Sequence, residues 1–196
     1  VLYGLPATYK SFLAIDIALS ISAGISWQDR CTAPGHILYQ LGEGLAGLAA
    51  RVAAWKGHQG LEGIPQSWFI PERANLSTPR GIDQIARAIG RLPEPPKLLA
   101  IDTLARAIPG VEENMQQGMG LVIDGVDRLR EEFGCAALLV HHARKNGTAI
   151  RGSSVLEGAA DVVMEMQREQ VLSAVLKNVK QKDGPAFSPM RISLAA

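Results

Sequence analysis

Two stretches, KLLAID (97–102) and CAALLVHH (135–142), carry almost no polar residue before their last positions, and they limit the fold more than any other feature. A strand with one wet face alternates apolar and polar residues. A continuous apolar run instead suits a strand covered on both faces, as in a parallel sheet packed between helices. GHILYQLGE (35–43), SWFIPE and Val1–Tyr3 read as further strands. Helical patterns fall between them: Lys10 to about Ser22, Leu45 to about Lys56, Gly81 to Arg91 and Met119 to Phe133. The last has apolar residues at 119, 122, 123, 126, 129 and 133, which is helical spacing. This alternation predicts a three-layer α/β fold with a mostly parallel sheet. After residue 142 the rhythm changes. DVVMEMQRE, LSAVLKNVKQ and MRISLAA follow without helices between them, and they predict antiparallel strands closing one end of the sheet.

The chain has 196 residues, and a single domain spanning 1–196 is expected. The Pro-rich RLPEPPK (91–97) reads as a linker between units of that domain. Because the chain opens on what reads as the end of a strand, an N-terminal segment is expected to precede it. Apolar residues make up 47% and aromatic ones 5%, so the core should be aliphatic. A net charge of +1 excludes a uniformly basic coat and leaves room for a local basic patch. Cys31 and Cys135 suggest neither a disulfide framework nor a CxxC site, which fits a cytoplasmic protein. No stretch approaches the ~18 apolar residues of a membrane span, so no membrane partner is expected.

GLPATYKS (4–11) sits between the first strand and the first helix. It follows the phosphate-loop pattern G-x-x-x-x-G-K-[ST] at Gly4, Lys10 and Ser11, but Tyr9 stands where the second glycine belongs. In such a loop, backbone N–H groups at a helix N-terminus cradle phosphate, lysine reaches the terminal phosphates, and Ser/Thr holds Mg²⁺. Gly4 and Pro6 can shape the turn, and Ala7 and Thr8 are small enough to leave room for phosphate. The segment Gly4–Phe12 is therefore the candidate nucleotide-binding loop, with ATP and Mg²⁺ as the expected ligands. Asp102 ends an apolar strand, where a Walker B carboxylate reaches the magnesium shell; Ser11 and Asp102 are the metal candidates. Glu43 ends another strand between Gly42 and Gly44, placed to orient and deprotonate the attacking water.

The ordered set GLPATYKSFLAID, YQLGEG, LLAIDTLARAIPGVEEN, ALLVHHARK and RGSSVLEGAADVVM resembles RecA-like P-loop ATPases of the RepA/DnaB hexameric helicase kind, in the form encoded by phages and plasmids. The resemblance covers nearly the whole chain. It implies that Lys10 and Ser11 hold phosphate and Mg²⁺, Asp102 the metal shell and Glu43 the catalytic water. It also implies that His142 is the polar sensor of the terminal phosphate, with His141 on the opposite strand face. A metal site at this pair is disfavoured, because adjacent strand residues point apart and no third ligand is evident. RKNGTAIRGSS (144–154) corresponds to a DNA-facing loop followed by an arginine finger, a role that falls to Arg151 and can be worth about 10³–10⁵ in rate. KQKDGP resembles the KQRNGP hairpin of DnaB-type helicases and offers Lys180 and Lys182 as competing trans fingers, although lysine lacks the planar fork. Arg106, Arg144 and Lys145 are the candidate contacts to single-stranded DNA. Glu112 and Glu113 in the Arg106–Gly120 loop would repel phosphate, and neither loop offers an aromatic for base stacking.

The resulting expectation is an Mg²⁺-dependent ATPase motor on single-stranded DNA, a replicative helicase assembled as a homohexamer or filament. The alternatives are a RecA/RadA-type recombination or loading ATPase, and a nucleotide-gated oligomerisation module without motor activity.

Overall fold

The computed structural model describes residues 1–195 except 64–65, 114, 145–148 and 153. The alternating units run β1 (Leu2–Gly4), α1 (Lys10–Ala23), β2 (Ile37–Leu41), α2 (Leu45–Gln59), β3 (Ser67–Ile70), α3 (Pro79–Ile89), β4 (Leu98–Asp102), α4 (Gln116–Phe133) and β5 (Ala136–His142). A short α5 (Ser154–Ala159) then leads into β6 (Val162–Gln170), β7 (Ser173–Gln181) and β8 (Met190–Ser193). The eight strands form one sheet in the order β3-β2-β4-β5-β1-β6-β7-β8. Pairing is parallel from β3 to β6 and antiparallel across β6–β7 and β7–β8. This is the expected RecA-like α/β architecture, with the antiparallel strands at the C-terminal end.

Strand parity divides the core in two. Leu38, Leu99, Ile101, Leu139 and Val163 face α3, α4 and α5. Ile37, Tyr39, Leu41, Leu98, Ala100, Val140 and Met166 face α1 and α2. Both faces of β2 and β4 are buried at every position, which is why their sequences read as continuous apolar runs. Two helix starts differ from the sequence reading. α3 starts at Pro79 because Thr78 caps it, its hydroxyl accepting from the Gly81 N–H at 3.2 Å, with proline in the first turn. α4 starts at Gln116, ahead of the first apolar position that marks its buried stripe.

A partly buried polar clasp fixes α1. The carboxylate of Asp16 accepts the indole N–H of Trp27 at 2.7 Å through one oxygen and that of Trp55 at 2.7 Å through the other. It thereby ties α1 to α2 and to the segment after α1.

Among the described residues no helix is long and apolar enough to cross a membrane.

Candidate nucleotide site

In a parallel sheet the strands deliver their following loops to one edge, and here β1, β2, β4 and β5 do so side by side. The loop from Gly4 to Tyr9 leaves β1 next to β6. A Cβ on Gly4 would collide with the carbonyl oxygen of Met166, so only glycine permits this approach. Ala7 and Tyr9 adopt left-handed backbone conformations, with φ of 59° and 65°. Tyr9 thus takes the backbone conformation for which a glycine is ordinarily selected, at about 1–2 kcal/mol of conformational cost. It caps α1 without a side-chain hydrogen bond to the helix. The first-turn N–H groups of α1 therefore lack the usual side-chain cap, the condition a phosphate cradle requires.

Lys10 is buried at 6% exposure, its ammonium folded back over the loop. It donates to the Leu5 carbonyl at 2.7 Å and lies 3.4 Å from the Thr8 hydroxyl, which itself donates to Leu5 O at 2.9 Å. Burial lowers the Lys10 pKa, opposed by the charges of Asp102 and Glu43. All three groups therefore share one electrostatic environment.

Asp102 ends β4 almost fully buried and faces α1. Its Oδ2 accepts the Tyr39 hydroxyl at 2.7 Å, and the Ser11 side chain stands close enough to oppose the rise in its pKa. Burial raises that pKa, outweighing the Tyr39 hydrogen bond, Ser11 and the charges of Arg51 and Lys10. Its Oδ1 and the Thr103 hydroxyl oxygen are buried without partners, and the Asp102–Thr103 peptide is cis. A carboxylate oxygen left unmatched beside Ser11 and the phosphate loop fits an outer-shell partner for Mg²⁺. Among the described residues no cluster of three His, Cys, Asp or Glu side chains offers a metal its own cage. The residues present suit a magnesium held mainly by nucleotide phosphates, with Ser11 and Asp102 in support.

β2 pairs with β4 so that Leu41 lies opposite Asp102, and Gly42 N–H donates to the Asp102 carbonyl. This register carries Glu43 to the same edge, where its Oε1 accepts the Arg106 guanidinium at 2.7 Å with both side chains about half exposed. Arg106, a sequence candidate for DNA contact, is thus the immediate partner of the candidate base.

β5 brings the histidines in beside β1, with His142 opposite Gly4 and His141 opposite Tyr3. Burial lowers the pKa of His142, with Lys10 acting the same way and Glu43 opposing. Its Nδ1 is buried without a partner. His141 is fully buried on the other face, its Nε2 3.0 Å from the Arg151 carbonyl oxygen. Burial, followed by the neighbouring His142, pushes its pKa down to about 4. Since the ordinary value is 6.5, the unfolded chain takes up this proton first as pH falls. Stability from neutral His141 is complete above about pH 6.5 and is lost progressively down to about pH 4, by about 3 kcal/mol at most. Thermal melts across that window should show a steeper acid limb for the native protein than for His141→Gln. Equal slopes would refute a neutral, buried His141.

The finger candidates separate in space. Arg151 leaves the β5 edge: its N–H donates to the His142 carbonyl at 2.9 Å, and its guanidinium lies 3.0 Å from Glu113 Oε2. Lys180 and Lys182 lie near the C-terminal end of β7, which runs antiparallel to β6. They therefore occupy the opposite end of the sheet from the phosphate loop of their own chain. Lys180 donates to the carbonyls of Glu157 and Gly158 at 2.9 and 2.7 Å, and Lys182 pairs with Asp161 at 3.4 Å. Arg144 reaches the Gly152 carbonyl at 3.4 Å, and Lys145 lies outside the described residues.

Sequence reasoning missed Tyr39, Thr103, Arg51 and Arg168, and the pairing of Glu113 with Arg151. Tyr39 was within reach of the parity rule, since it lies two residues before Leu41 on the strand paired with Asp102. Arg51 and Arg168 had no local signal. Arg51 lies 4.8 Å over the Phe12 ring and Arg168 5.6 Å over the Tyr9 ring. Next to these aromatics a cleft of about 160 Å³ opens between α1, α2 and β8, lined by Tyr9, Phe12, Arg51, Trp55, His58 and Ile192 among others.

Residues 1–148, from the phosphate loop through β5 and into the segment after it, match the family described as AAA domain (AAA_25). A family of that kind implies nucleotide binding, usually with Mg²⁺. With the loop, the buried carboxylate and the parallel sheet all in place within the matched span, the chain belongs to the AAA domain family and is an ATPase of the P-loop type.

Proposed function

We propose that the chain is a single RecA-like ATPase domain of an oligomeric motor acting on single-stranded DNA, of the RepA-like replicative helicase kind found in phages and plasmids. The observation that carries this reading is the short path at the end of β5. His142 lies opposite Gly4 of the phosphate loop, and its carbonyl accepts the N–H of Arg151 at the close of the 144–151 segment. A change at the terminal phosphate would thus reach Arg151 directly and Arg144 through the Ala143–Ile150 pairing.

In this reading Lys10 leaves the Leu5 carbonyl to pair with the terminal phosphates of ATP, and the α1 amides hold the phosphate next to them. Magnesium supplies charge neutralisation and orientation of the phosphates. Ser11 and Asp102 hold its coordination sphere in place. Glu43 accepts a proton from the attacking water once its carboxylate is freed from Arg106. The apolar cleft beside Phe12 takes the base. Arg151 from a neighbouring copy, or Lys180 and Lys182 from the far end of its sheet, would complete the charge on the phosphoryl group. Cytoplasmic location and ring or filament assembly belong to the same proposal.

A nucleotide-gated oligomerisation module is the second reading. It is favoured by the internal pairing of both key charges, Glu43 with Arg106 and Arg151 with Glu113.

Steady-state ATP hydrolysis, with and without single-stranded DNA, distinguishes the two, with Lys10→Ala as control. DNA stimulation of severalfold or more, abolished in Lys10→Ala, supports the motor. ATP binding without DNA-dependent turnover sinks it and favours the module. Fork unwinding then separates a helicase from a recombination or loading ATPase.

A further inference from the structure

The tyrosine that breaks the phosphate-loop pattern is bound on both its ring and its hydroxyl. Tyr9 OH accepts the backbone N–H of Leu172 at 3.1 Å, across 163 residues of sequence. Leu172 belongs to the two-residue turn between β6 and β7, with φ of 60°, and Val171 beside it is 76% exposed. One face of the Tyr9 ring carries the Arg168 guanidinium, and Phe12 packs against the ring edge-on at 6.2 Å. Arg168 continues the α1-facing side of β6 defined by Met164 and Met166. Its strand passes so close to the loop that Gly4 can have no side chain. Among the described residues Arg168 has no carboxylate partner, and its other polar contact is a 3.4 Å approach to the Gln170 carbonyl. A glycine at position 9 would make none of these contacts.

We infer that Tyr9 is a positioning residue: it fastens the β6–β7 turn to the phosphate loop and holds Arg168 beside the nucleotide. This inference rests on the phosphate loop binding ATP. Backbone strain at position 9 is exchanged for an ordered wall on the nucleotide site. The nearby guanidinium then enters binding already oriented, which reduces the ordering that binding would otherwise require. The clasp also joins the span shared with the AAA domain family, residues 1–148, to strands that lie beyond it.

The decisive experiment is a double-mutant cycle on KM for ATP, with thermal stability measured in parallel. Tyr9→Gly removes the clasp and relieves the left-handed strain, so it should melt no lower than the native protein. Its KM should nevertheless rise about tenfold with kcat changed far less. Arg168→Ala should raise KM by a similar factor. The double variant should be little worse than either single one, because the residues act as a unit. Tyr9→Phe, which keeps the ring and loses the hydroxyl, should raise KM only about threefold. An unchanged or lower KM for Tyr9→Gly would overturn the inference, and so would multiplicative effects in the double variant. If the native protein does not bind ATP through Lys10, the nucleotide reading itself fails. Amide exchange at Leu172 tests the clasp separately in nucleotide-free protein: Tyr9→Phe should speed it several-fold, and an unaltered rate would refute the clasp.

Discussion

Glu43→Gln is expected to lower kcat for ATP hydrolysis by about 10²–10⁴, the range of a lost general base, while ATP still binds. The geometry supports this separation. Glu43 stands at the end of β2, one residue past Gly42, whose N–H is tied to the Asp102 carbonyl, so the backbone position is set by the β2–β4 register. Its side chain is about half exposed and touches Arg106, leaving Lys10 to the loop carbonyl. Glutamine keeps the shape and an acceptor for Arg106 but has almost no basicity. Single-turnover hydrolysis together with fluorescent-nucleotide binding measures both quantities. Binding lost along with turnover would mean that Glu43 shapes the site instead of acting on water. Arg106→Ala is the companion variant: with its ion partner gone, Glu43 is free to meet water, and turnover without DNA should rise.

Asp102→Asn should change catalysis and stability in opposite directions. Burial raises the Asp102 pKa even with Lys10, Arg51, Tyr39 and Ser11 nearby, so the folded protein holds the ionised form at a net disadvantage. For an acid with a raised folded pKa, the folded state binds the extra proton first. Stability therefore declines as pH rises from the ordinary carboxylate range through the folded value. Asparagine removes that charge and keeps an acceptor for the Tyr39 hydroxyl, so the nucleotide-free variant should melt higher at neutral pH. Mg²⁺ needs the charge that the fold disfavours, and its apparent affinity should drop about 10- to 100-fold, with turnover falling accordingly. A titration of ATPase rate against Mg²⁺, beside melts of the nucleotide-free protein, reads both. A lower melting temperature would show that Asp102 mainly supports Tyr39 and Ser11.

The order of elements was legible because it depends on patterns that survive in one dimension. LLAID is buried on both faces, as is CAALLVHH from Leu138 to His141, and a short apolar run of that length suits a covered parallel strand. The phosphate loop was legible for the same reason, since strand, turn and helix follow one another in sequence. Contacts set by the fold's third dimension left no such trace. Arg168 meets Tyr9 only because β6 inserts beside β1, and Glu113 meets Arg151 only because β4 and β5 are neighbours. The role of Tyr9 could not be read as a gain or a defect until its distant partner Leu172 was placed. α5 escaped notice because one and a half turns carry too few residues for a helical period to show.

Asp16 receives the indole N–H groups of Trp27 and Trp55, and the chain has three tryptophans. One of that pair, Trp55, lines the cleft beside Phe12, whereas Trp68 lies on the far edge strand. A negative charge against an indole nitrogen shifts its emission, so any ligand that moves α1 relative to α2 alters the light these rings emit. The clasp that holds two helices together is therefore also an optical reporter native to the protein. A change in tryptophan emission on adding ATP is the expected sign that the cleft takes the nucleotide base as proposed.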